Sequence, residues 1–195
     1  EIRKNEIDAL IIAGDVFDVS NPSAASQRMY YEFIYRVTAE NPGLQIVIVA
    51  GNHDSAARLE APLPLLQAMR TEVRGVVRKL NEGEIDYDHL AVELKNREGE
   101  VEVLCMAVPF LRQGDYPVVE TEGNPYMEGV RELYTQLLQR LWARRKTNQA
   151  ILAIGHLQAT GSEIAEKDYS ERTVIGGLEC VSPDTFSEKI AYTAL

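Results

Sequence analysis

The sequence predicts a layered α/β protein. Short, near-continuous apolar runs alternate with amphipathic stretches, and several of the runs end at one glycine followed by a polar residue. Residues 7–13, 45–50 and 150–154 read as strands buried on both faces. At 195 residues the chain fits a single domain, large enough to bury ~70% of its unfolded surface. Residues 1–195 are read as that one domain, with both ends cut inside a larger fold: the chain opens on Glu1 and closes on an apolar run at Leu195.

In order, the strand over residues 7–13 runs into a turn marked by Asn21 and Pro22. Ser23 is the expected N-cap of a helix over residues 24–38. Met29, Phe33 and Val37 on that helix, with Tyr30 and Ile34, form its apolar stripe, and Asn41-Pro42-Gly43 stops it. A short helix is expected over residues 63–70, with Pro62 or Pro64 near its first turn. Residues 85–94 and 101–109 read as a hairpin turning through residues 96–99. A long amphipathic helix over residues 128–145 turns Val130, Leu133, Leu137, Leu138 and Leu141 inward. A polar loop over residues 160–172 follows, and a last strand starts at residue 190.

Composition narrows the function classes. The net charge of −10 argues against a module that grips duplex DNA by phosphate neutralisation alone. Arg140, Arg144, Arg145 and Lys146 cluster on the long helix, where a solvated face is the favoured reading. An acidic chain can still act on phosphodiesters if bound cations supply the local positive charge. No run reaches the ~18 apolar residues of a membrane helix, so a cytoplasmic protein with no membrane partner is expected. Cys105 and Cys180 are read as reduced core residues, the alternative being a disulfide. His89 is read as a strand or surface residue, and Trp142 as packing rather than a base-stacking platform.

The chemistry is carried by three strand endings: Gly14-Asp15, Gly51-Asn52-His53-Asp54 and Gly155-His156. Glycine lets the chain turn off the sheet, and the side chain after it stands at the carboxyl edge, where layered α/β proteins bind ligands. Aspartate, asparagine and histidine are together a ligand set for divalent cations such as Mn, Fe or Zn. A pair of such ions ~3.5–4 Å apart can clamp a phosphate, the chemistry of phosphoester hydrolysis.

Gly14-Asp15-Val16-Phe17-Asp18, Gly51-Asn52-His53-Asp54 and Gly155-His156-Leu157 match, in order, three of five signatures of the calcineurin-like metallophosphoesterases, which the chain resembles. The resemblance implies the layered fold of that family, central mixed sheets flanked by helices, here truncated at both ends. Residues 55–59, 103–112 and 171–186 further resemble the bacterial counterparts of the meiotic recombination nuclease. The implied activity is Mn²⁺-dependent hydrolysis of DNA in repair and recombination, by a homodimer bound to an ABC-type ATPase. Carried over residue by residue, Asp15 resembles the carboxylate bridging two metals, and Asn52 and His156 resemble ligands of one of them. His53 resembles the histidine that protonates the leaving oxygen, Asp18 its orienting partner, and Asp54 stays structural. The family's Asp-x-His and Gly-His-x-His signatures are expected outside residues 1–195, so this segment alone is expected to be inactive. Two alternatives stand beside this: a non-catalytic subunit, and a phosphoesterase of a small phosphomonoester or cyclic nucleotide.

Overall fold

The computed structural model describes residues 2, 4–159 and 180–195. Its elements are β1 (Ala9–Ala13), α1 (Ala24–Glu40), β2 (Gln45–Val49), α2 (Ala56–Glu60), α3 (Leu63–Gln67), β3 (Thr71–Arg74), β4 (Ala91–Lys95) and β5 (Val101–Ala107). They continue with α4 (Pro125–Arg144), β6 (Ala150–Ile154), the two-residue strands β7 (Gln158–Ala159) and β8 (Cys180–Val181), and β9 (Tyr192–Ala194).

Two sheets stack face to face. The first has order β1-β2-β3 and is wholly parallel; the second has order β4-β5-β6-β9, parallel except for the β4–β5 hairpin. Strand alternation explains the layering. Val47 and Val49 of β2 face Val92, Leu94, Cys105, Ala107 and Ile154 of the second sheet, while Ile46 and Ile48 face Tyr30, Ile34, Leu59 and Leu66 of the helices. Leu104 and Met106 of β5 turn the other way, onto Val130, Leu133 and Leu137 of α4. Each such side chain, fully buried, contributes roughly 1.5–3 kcal/mol. The fold is therefore α/β with a mixed and a parallel sheet between helices, as expected.

Several boundaries differ from expectation for physical reasons. β1 is only half-buried along its length because it lies at the edge of its sheet among the described residues. α1 buries Tyr30 and Ile34 but leaves Met29 71% and Phe33 45% exposed, so two adjacent apolar stripes compete and only one meets the sheet. Ser23 does cap α1, accepting from the Ser26 N–H. The expected helix over residues 63–70 is the shorter α3, and it is preceded by α2, which the sequence did not suggest. α4 begins earlier than periodicity suggested because the Asn124 side chain accepts from the Tyr126 and Met127 N–H groups, with Pro125 in the first turn. Residues 85–90 are not strand; only Ile85 bridges, to Lys79. The expected loop over residues 160–172 lies outside the described residues.

Candidate metal and phosphate site

β1, β2 and β6 deliver their carboxyl ends to one seam between the sheets. Val108 N–H donates to Ile154 O at 3.1 Å and Phe110 N–H to Ala50 O at 2.8 Å, so the segment leaving β5 ties the ends of β2 and β6 together. Asp15, Asn52 and His156 meet there.

The glycines act in two ways, only one of them anticipated. Gly14 has φ of 94°, the sharp turn expected, and Asp15 follows it in the left-handed region at φ 44°. Gly51 and Gly155 serve close approach instead. A Cβ on Gly51 would sit 2.0 Å from Asp15 Oδ1, and one on Gly155 would sit 2.6 Å from the Tyr134 hydroxyl. A Cβ on Gly14 would likewise sit 2.1 Å from His156 Nδ1. The three side chains converge because the backbones at Gly14 and Gly51 carry nothing in between.

Hydrogen bonds fix their orientation. His53 N–H donates to Asp15 Oδ1 at 3.0 Å, which leaves Oδ2 facing the site. His156 Nδ1 lies 2.9 Å from Ala13 O, an acceptor, so Nδ1 carries the proton and Nε2 presents its lone pair. That Nε2 lies 2.9 Å from Asn52 Oδ1 and 3.5 Å from Asp15 Oδ2. Three acceptor atoms pointed at one another are stabilised by a cation between them, and a metal ion supplies one. Neighbouring ligands at right angles on an ion with ~2.1 Å bonds stand ~3 Å apart, close to these separations. The donor set therefore fits a divalent cation, and the Ala13 carbonyl is the outer partner that fixes the imidazole tautomer. Among the described residues no group of three His, Cys, Asp or Glu side chains stands in metal-holding geometry; this cluster depends on the Asn52 amide.

His53 stands beside the cluster. Its Nδ1 is 3.7 Å from Asp15 Oδ2 and 4.0 Å from Asp18 Oδ1, with Asp18 85% exposed. Asp18 is thus near His53 but beyond hydrogen-bond reach, and Asp15 is nearer. Asp54 is the residue whose importance the sequence understated. It is buried, and its carboxylate accepts from Gly51 N–H at 2.8 Å, Phe17 N–H at 2.9 Å and Val16 N–H at 3.1 Å. It clamps the loop carrying Asp15 to the loop carrying Asn52 and His53. An aspartate ending a Gly-Asn-His-Asp run was the signal for it.

Other singled-out residues lie elsewhere. Cys105 is buried and its thiol pKa is raised by that burial; Cys180 is free but only half-buried, so it is not a core residue. Trp142 lies at the surface with Arg145 and Lys189 over its ring, at 4.4 and 4.8 Å. His89 is neither strand nor surface: its side chain is 7% exposed and its Nε2 stands 3.6 Å from Glu60. Glu60 also accepts from Gly75 and Val76 N–H and pairs with Arg78. Burial, then Arg74 and Arg78, push the His89 pKa down to about 4, against the opposing pull of Glu60 and Asp86. Between pH ~6.5 and ~4 the unfolded chain binds a proton that the folded chain refuses, so stability falls as pH falls through that window. Urea unfolding at pH 7 and pH 4.5 is expected to show on the order of 2 kcal/mol more acid loss in the wild type than in His89→Gln. Equal losses would contradict the assignment.

Residues 1–180 match the family model of the calcineurin-like phosphoesterases. The chain belongs to the calcineurin-like phosphoesterases. Within this family of divalent-metal enzymes it is 36% identical to SbcD, the D component of the SbcCD nuclease, from Rhodobacter capsulatus, over 97% of this chain and 47% of that protein. It is 26% identical to the Escherichia coli protein of the same name, over 94% of this chain and 44% of that one. Over 41% of its length it is 33% identical to the DNA double-strand break repair protein Mre11 of Methanopyrus kandleri, covering 17% of that protein. The chain spans about half the length of the curated SbcD proteins it matches. No helix among the described residues of this calcineurin-like chain is long and apolar enough to cross a membrane.

Proposed function

We propose that this chain carries out metal-dependent hydrolysis of DNA phosphodiester bonds, as the nuclease subunit of a repair and recombination complex. The observation that carries the reading is the convergence of Asp15 Oδ2, Asn52 Oδ1 and His156 Nε2 at one seam, with the His53 imidazole beside them. Asp15 would hold the metal through its carboxylate, with Asn52 and His156 as further ligands. Two divalent ions, Mn²⁺ in this reading, supply the positive charge and Lewis acidity that phosphodiester hydrolysis needs when bound.

The chain's own groups do the rest. Asp54 and the His53 N–H hold the Asp15 carboxylate in place, and the Ala13 carbonyl holds His156 in its Nδ1–H tautomer. His53 turns Nδ1 toward the carboxylates of Asp15 and Asp18, which leaves its other nitrogen free to give a proton to the leaving oxygen. Asp18 acts as the orienting carboxylate, closing to hydrogen-bond distance when substrate is bound; catalytic hydrogen bonds commonly tighten in the complex.

The relatives' names support the partners. An ABC-type ATPase similar to SbcC and a DNA end are the proposed company of this protein in the cytoplasm. A second copy is proposed as well, since the exposed Met29 and Phe33 of α1 form an apolar strip of the kind a symmetric partner covers.

Activity tests the reading directly. Protein expressed from the complete reading frame is expected to release nucleotides from linear duplex DNA with Mn²⁺, at least ~10²-fold faster than its Asp15→Asn variant. Release no faster than from Asp15→Asn would overturn it.

A further inference from the structure

Resting on the nuclease reading, the structure points to a substrate-gripping pair at the end of segment 103–112, to which the family signatures assign no role. β5 ends at Ala107, and the next residues cross the seam between the two sheets. Val108 and Phe110 are hydrogen-bonded to the ends of β6 and β2, and Leu111 is 2% exposed, pinned in the core. The residues either side of Leu111 are thereby turned outward. The Phe110 ring packs edge-to-face near the His156 imidazole, centroids 6.3 Å apart. The Arg112 guanidinium lies over the Phe110 ring, 5.2 Å from its centroid.

Arg112 is exposed, and among the described residues no carboxylate pairs with its guanidinium. The nearest candidate in sequence, Asp115, spends a carboxylate oxygen on the Arg112 backbone N–H at 2.8 Å. The two ring contacts in series hold the guanidinium within about 11.5 Å of the His156 imidazole. Phosphates along one strand advance ~3.4 Å each, so a strand with one phosphate at the site brings another, up to three nucleotides away, to Arg112. In a chain of net charge −10, an unspent cation beside a carboxylate-rich seam is otherwise unexplained.

We propose that Arg112, braced on Phe110, grips a backbone phosphate near the scissile one, and so selects a polynucleotide over a small phosphoester. Arginine suits this because its planar fork stacks on an aromatic face while donating to phosphate oxygens. Phe110 is a positioning residue in this arrangement and Arg112 a substrate-contacting one.

The test uses protein from the complete reading frame with Mn²⁺, a 20-nucleotide strand, and thymidine p-nitrophenyl phosphate, which has one phosphate only. Arg112→Ala is expected to raise KM for the strand ~10-fold with little change in kcat, the loss of one charge-assisted contact. The single-phosphate ester should show a KM change below ~2-fold. The salt dependence of strand binding, read by fluorescence anisotropy in EDTA, should flatten by a slope of ~0.7. Arg112→Lys should keep that slope but recover only part of the KM, and Phe110→Leu should resemble it. Wild-type KM and slope in Arg112→Ala, or equal losses on both substrates, overturn the proposal while leaving the nuclease reading intact. A wild-type protein that hydrolyses the ester but leaves the strand whole overturns the nuclease reading itself.

Discussion

Replacing His53 with alanine is expected to slow DNA cleavage by ~10²–10⁴-fold while leaving metal content nearly unchanged. His53 side-chain nitrogen lies 3.7 Å from Asp15 and lends the metal cluster only a backbone N–H, which alanine retains. Asp15→Ala is expected to do the opposite and lose metal, since its carboxylate is the proposed shared ligand. Asp18→Asn should fall between, retaining metal and slowing the reaction less, because Asp18 lies 4.0 Å from the imidazole and is mostly exposed. A leaving group that needs no proton, such as p-nitrophenolate, should shrink the His53→Ala defect well below that seen on DNA. Metal analysis and rates on both substrates, from the same preparations, decide the roles. Metal loss in His53→Ala, or equal defects on the two substrates, would show that His53 is not a general acid.

The largest expected effect on stability comes from Asp54. Asp54→Ala strands the buried N–H of Gly51 and the part-buried N–H groups of Val16 and Phe17 without an acceptor. Each unsatisfied buried donor costs roughly 1–3 kcal/mol, so the variant should lose ~4 kcal/mol and ~10 °C in Tm at this chain length. Metal affinity should fall with it, because the loops carrying Asp15 and Asn52 lose their common clamp. Asp54→Asn should be milder: one oxygen still accepts, while the amide –NH₂ now faces a donor. Calorimetry of the three proteins checks this. A Tm of Asp54→Ala within ~2 °C of wild type would mean the clamp contributes little.

Much of this was legible in the sequence. Strands buried on both faces leave continuous apolar runs, and β2 and β6 were read from them to within a residue. The meeting of Asp15, Asn52 and His156 was also foreseeable, because strand carboxyl ends gather at one edge of an α/β fold. What could not be read was local. A glycine code does not distinguish a positive φ at Gly14 from a close approach at Gly51 or Gly155. Equal apolar stripes on α1 do not say that Tyr30 and Ile34, rather than Met29 and Phe33, meet the sheet. Burial of His89 arises from Glu60, fixed by a backbone turn at Gly75 and Val76, a tertiary contact with no sequence period.

Asp15, Asn52 and His156 are proposed to share a divalent ion. Crystals of the protein from the complete reading frame, grown with Mn²⁺ and measured at the manganese absorption edge, test it most directly. An anomalous peak is expected ~2.0–2.5 Å from Asp15 Oδ2, Asn52 Oδ1 and His156 Nε2 together. Manganese bound elsewhere, with the His156 Nε2 still against the Asn52 amide and no ion between them, would contradict it.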